Sequence, residues 1–99
     1  MSDYETLRQQ TRLEARALPR AEALRRLEAA SELSAPNAAS LREELLRLAR
    51  GPRLDATARQ RCDTLLQEIL RVSRYPVRPG SVEQIWYLEG LLDRLTTSD

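Results

Sequence analysis

The sequence predicts an all-α fold, a small bundle of four to five short amphipathic helices, on three observations. Helix formers dominate: of the 99 residues, 18 are Leu, 12 are Ala and 16 are Arg. Strand formers are scarce, with two Ile, three Val and no Phe, and no stretch alternates with period two. Pro and Gly then cut the chain into helix-length pieces at Pro19, Pro36, Gly51-Pro52, Pro76 and Pro79-Gly80. One helical domain over 1–99 is expected, with helices near 3–18, 19–34, 38–50, 55–74 and 81–96.

The first helix opens on Ser2-x-x-Glu5, a capping-box pattern, and carries Tyr4, Leu7, Thr11, Ala15 and Leu18 at spacings of three and four. Pro19 either begins the second helix or kinks a longer one. Leu24, Leu27, Ala30 and Leu33 line that second segment, and Ser34-Ala35-Pro36-Asn37 breaks it. The third helix starts at Asn37 or with the capping box Ser40-x-x-Glu43, and Leu41, Leu45, Leu46 and Leu48 form its stripe before Gly51-Pro52 ends it. The fourth, beginning at Asp55, has the most regular stripe: Ala58, Cys62, Leu65, Ile69 and Val72. Residues 75–80 read as an extended proline-rich connector, because each proline drives the residue before it towards extended conformations. Ser81-x-x-Gln84 caps the last helix, with Val82, Ile85, Leu88, Leu92 and Leu95 facing inward.

Composition removes several chemistries. The chain has no His and one Cys, Cys62, so it cannot build a zinc site from its own Cys and His, a His-based triad, a Cys–His dyad or an intrachain disulfide. No apolar run reaches the length of a membrane span, and a lone thiol with a polar N-terminal segment suits a reducing cytoplasm. Cys62 lies on an apolar stripe and is read as a small core residue. No glycine-rich loop is present to cradle phosphates. No cofactor or metal is expected, and a non-enzymatic role is.

Net charge is +1, but unevenly spread: residues 50–78 carry seven Arg against Asp55, Asp63 and Glu68, whereas residues 79–99 carry Arg94 against four acids. All sixteen basic residues are Arg. Arg8, Arg12, Arg16 and Arg20 recur every fourth residue, which makes a guanidinium stripe along the first helix. With Arg59, Arg71 and Arg74 they are candidate contacts for anions or nucleic-acid phosphates. The competing expectation is that acids on other helices, including the acidic last segment, neutralise them within the fold or across a dimer. Leu33-Ser34-Ala35-Pro36-Asn37 lacks the usual glycine of a helix-turn-helix and reads as a plain turn.

Trp86 and Tyr87 are adjacent, and residues next to each other on a helix point about 100° apart. Trp86 is therefore expected at the core border and Tyr87 more exposed. Gly90, one turn on, leaves a gap that would admit another helix closely. Trp86, Tyr87, Gly90 and Leu91 are accordingly the candidate protein interface. With a thin apolar core, the sequence suggests a small cytoplasmic interaction module, an adaptor, chaperone-like factor or inhibitor. It would bind a partner protein or itself, as a homodimer, through an apolar helix face. A nucleic-acid-binding regulator is the alternative reading, and no membrane partner is expected.

Overall fold

Each predicted segment has an apolar stripe to bury and a breaker at its ends, and each becomes a helix. The computed structural model describes residues 3–52, 54–74 and 81–96. Its α-helices are α1 (Asp3–Arg16), α2 (Arg20–Ala29), α3 (Ala39–Ala49), α4 (Ala56–Val72) and α5 (Ser81–Thr96), with no strand among the described residues. The expected connector at 75–80 and the cap residue Ser2 lie outside the described residues.

Pro19 separates two helices rather than kinking one. It takes an extended conformation (φ −58°, ψ 148°) just ahead of α2, and its carbonyl accepts the first bond of that helix, from Ala23 N at 2.9 Å. A proline in a helix interior would lose a hydrogen bond and clash with the preceding turn, so the chain breaks here instead. The second helix is shorter than expected, because Ala30 turns extended and a 3₁₀ turn, Ser31–Leu33, drops Leu33 into the core. Ala35 is extended, as a residue before proline must be, and Pro36 opens a second 3₁₀ turn, Pro36–Ala38.

That turn runs directly into α3, so neither Asn37 nor Ser40 caps the helix. Ala38 holds the cap position with no side-chain hydrogen bond, and Asn37 reaches across to donate to the Val72 carbonyl at the end of α4. Asp55, expected as the first residue of the fourth helix, stands one position ahead of α4 and caps it, accepting from Ala58 N at 2.8 Å. Ser81 is the first residue of α5. No helix of the described residues is long and apolar enough to cross a membrane.

The core is one contiguous cluster, with Leu27, Leu33, Leu45, Leu46, Leu54, Leu65, Leu66, Ile69, Leu91, Leu92 and Leu95 among its members. Helix α5 is central: it packs on α1, α2 and α4, while α3 packs chiefly on α4. That position corrects the expected face of α5. Coverage from several sides buries Trp86, Leu88, Gly90, Leu91, Leu92 and Leu95, and leaves Val82 and Ile85 only half-buried.

Helix α1 runs parallel to α5, since Tyr4 meets Trp86, Arg12 meets Asp93, and the Leu18 carbonyl meets Arg94. Gly90 sets their separation. A Cβ there would fall 2.7 Å from the Arg12 carbonyl oxygen, 2.8 Å from Ala15 Cβ and 3.0 Å from Arg12 Cα. Backbone cannot yield as the tip of a long side chain can, so Gly90→Ala is expected to push α1 outward and cost about 1–3 kcal/mol, read as a lowered midpoint in urea or thermal unfolding by circular dichroism. At the end of α4, Arg74 adopts φ 54°, the left-handed position that glycine takes without penalty after a helix. Arg74→Gly should therefore raise stability by about 0.5–1 kcal/mol, once relief of strain is set against the extra freedom of glycine in the unfolded chain; an unchanged or lower unfolding midpoint would contradict this.

Candidate functional site

The stripe of α1 faces the core only in part, with Leu18 packed against it and Tyr4 meeting Trp86. Ala15 is its one fully buried residue. Thr11 and Leu18 are half-buried, while Tyr4, Leu7 and Leu13 are 66%, 41% and 55% exposed. What α1 lays against α5 is charge. Arg12 binds Asp93 through Nη2 at 2.7 Å and Nε at 3.2 Å, and the other carboxylate oxygen of Asp93 accepts from Arg59 of α4. Arg59 also donates to Asp63, at 3.1 Å. Glu89 approaches both Arg8 (3.7 Å) and Arg12 (4.0 Å). Asp93 thus joins α1, α4 and α5 through two guanidinium groups.

Burial by itself would raise the Asp93 carboxyl. The hydrogen bonds from Arg59 and Arg12 outweigh it and hold the group below the ordinary aspartate range. The same balance operates on Arg59, where the carboxylates of Asp93 and Asp63 overcome desolvation and raise the guanidinium further.

The predicted arginine set is mostly consumed inside the fold. Arg8 and Arg12 face the acids of α5. Arg20, at the start of α2, donates to the Leu95 carbonyl at 2.6 Å and the Gly51 carbonyl at 2.9 Å, tying the ends of α5 and α3 together. Arg71 pairs with Glu68 one turn away, at 2.8 Å. The side chains of Arg16 and Arg74 are exposed and make no hydrogen bond or ion pair among the described residues, but they sit on different elements. The candidate anion contacts Arg8, Arg12, Arg16, Arg20, Arg59, Arg71 and Arg74 are therefore not brought together as one basic surface.

Two further arginines act on backbone in a way the sequence reading missed. Arg94 donates to the Leu18 carbonyl and Arg42 to the Glu28 carbonyl, each at 2.7 Å. With Arg20, they satisfy carbonyls near helix ends that lack intrahelical donors. Nothing in the local spacing signals this, because each partner lies at least 14 positions away.

Of the predicted interface residues, Gly90 and Leu91 are buried inside this chain's own bundle, and the gap at Gly90 is filled by α1. Trp86 is 6% exposed and meets the ring of Tyr4 edge-on, with centroids 5.0 Å apart. Trp86, Gly90 and Leu91 thus turn inward, because α1 takes the seat the sequence reading reserved for a partner. Tyr87 alone stays half-exposed, its hydroxyl accepting from Arg26 at 2.6 Å.

Tyr87 sits in a groove of about 540 Å³ between α1, α2 and α5, where Leu7 and Leu18 supply further apolar surface and Gln10, Thr11, Glu14, Arg26, Glu83 and Gln84 the polar lining. This groove, together with exposed Leu13 on another side of α1, is the candidate functional surface. Cys62 plays no part in it. The thiol is buried in the core, and burial, aided by Asp63, pushes it up to about 11, so it is protonated and inert near neutral pH. No group of three or more metal-ligating side chains occurs among the described residues.

Comparison with protein-family models, curated proteins and solved structures finds no match to this chain.

Because the Asp93 carboxyl is held down in the folded chain, its contribution is complete above the unfolded value of about 3.9 and lost as pH falls through the folded value. Asp93→Asn removes the anion that Arg12 and Arg59 share, leaving Glu89 at 4.0 Å from Arg12 and Asp63 at 3.1 Å from Arg59, and should cost about 2 kcal/mol at neutral pH, discounted for partial exposure. Urea unfolding at pH 7 and at stepwise lower pH checks both parts: the deficit of the variant should narrow below about pH 4, and a constant deficit would assign the loss to packing alone.

Proposed function

We propose that this chain is a non-enzymatic protein-interaction module of the cytoplasm, acting through the outward apolar side chains of α1 and the groove beside them. The observation that carries this reading is the inverted use of α1. An amphipathic helix ordinarily buries its leucines and exposes its charges. Here Arg8 and Arg12 turn towards α5 while Leu7 and Leu13 remain in water. Leaving a leucine exposed forgoes about 1.5–3 kcal/mol of burial, which a partner surface would recover.

Supporting features run the same way. The core closes without further help through Gly90 and Leu91, so the leucines of α1 are surplus to it. Most arginines of the candidate anion set are already engaged with acids or carbonyls of the same chain, which favours a protein partner over nucleic acid. The buried, protonated thiol and the lack of His fit a binding role better than a catalytic one, and the single reduced thiol suits a reducing compartment.

The test is capture from a host-cell lysate by immobilised protein, compared with the variant Leu7→Gln, Leu13→Gln. Because both residues are exposed, the variant should keep native helicity and an unfolding midpoint close to that of the parent. Loss of the captured partner, by about tenfold or more, is the expected result. Equal capture by both proteins would remove α1 as the binding surface.

A further inference from the structure

The groove between α1, α2 and α5 also indicates what kind of partner it accepts. This step rests on the interaction-module reading and adds the chemistry of the ligand. Its apolar contacts come from Leu7, Leu18 and Tyr87. Two carboxylates line it, Glu14 from α1 and Glu83 from α5, and neither makes a hydrogen bond or ion pair among the described residues. The single cation in the lining, Arg26, donates from Nε to Glu22 at 2.7 Å and from Nη1 to the Tyr87 hydroxyl in the same groove at 2.6 Å, so it pairs with neither Glu14 nor Glu83. The groove therefore presents apolar surface flanked by two carboxylates without a side-chain partner among the described residues, against one cation.

Its shape decides between ligand sizes. Small-molecule sites enclose about 70–90% of their ligand. This groove is an open trough along helices, the geometry that receives the face of another helix. A nucleic acid is disfavoured by the sign of the charge. We propose that the groove docks an amphipathic helix of a partner protein whose apolar side chains meet Leu7, Leu18 and Tyr87 and whose Lys or Arg side chains pair with Glu14 and Glu83.

The probe is a synthetic helical peptide of about 18 residues, long enough to hold several turns, with leucines on one face and lysines flanking them. A control peptide has glutamate in place of every lysine. Binding to the full chain is followed by calorimetry and by amide chemical shifts. The lysine peptide should bind, shift the signals of residues such as Gln10, Thr11 and Gln84, and weaken by about tenfold in Glu14→Gln, Glu83→Gln. The glutamate peptide should not bind.

Equal binding of the two peptides, shifts confined to another surface, or an unaffected double variant would each overturn the proposal. So would self-association, seen by light scattering and abolished by Leu7→Gln in the groove lining, because the ligand would then be a second copy of this chain. Leu7→Gln, Leu13→Gln separates the two levels. If lysate capture still depends on those leucines while the peptides ignore Glu14 and Glu83, the module reading stands and the cationic-helix assignment falls. If capture ignores the leucines, both fall.

Discussion

The contact on which the rest of this molecule depends is the parallel approach of α1 to α5 at Gly90. A missing Cβ lets the backbone of one helix reach the other almost directly. Only at that separation can Arg12 reach Asp93 while Asp93 still holds Arg59 of α4. Because α1 buries little apolar surface of its own, its place is set by this close approach and by charge rather than by a leucine seam. That arrangement frees Leu7 and Leu13, and it builds one wall of the groove with Tyr87 on another.

Arginine serves three purposes here that lysine would serve poorly. Its planar fork lets Arg12 and Arg59 share one carboxylate from two sides. Its several donors let Arg20 hold two carbonyls from different elements at once. Its long stem carries Arg94 and Arg42 to carbonyls near the ends of neighbouring helices. Exposed pairs such as Arg71–Glu68 add little, since solvent screens them. The partly buried pairs at Asp93 matter more, because loss of one partner would strand a charge away from full hydration.

Much of the architecture was legible along the chain. The helical segments, the start of the fourth near Asp55, the breaks at Pro36 and Gly51 and the stripe through Cys62, Leu65 and Ile69 all follow from periodicity and breaker chemistry, which are local properties. The site was less legible. Gly90 was recognised as a gap for a close neighbour, which it is, but the neighbour is α1 of the same chain. A helix with one covered face has a narrow stripe, which leaves Trp86 at the core border and Leu91 off it, whereas α5 is covered on several sides and buries both. The stripe of α1 was placed inward because spacing reveals a face and not the direction in which it points.

The sequence by itself determined the fold class, the exclusion of His-dependent chemistry and the breakers that divide the chain into helical segments, since each depends on composition or on residues within a few positions of one another. Only the tertiary structure decided that Arg8 and Arg12 meet Glu89 and Asp93, that Arg20, Arg42 and Arg94 clasp distant carbonyls, and that Leu7 and Leu13 stay in water. Those outcomes depend on how helices are rotated and stacked. Rotation is set by pairwise fits between residues far apart in the chain, such as Gly90 against Arg12 and Ala15, and no local pattern encodes such a fit.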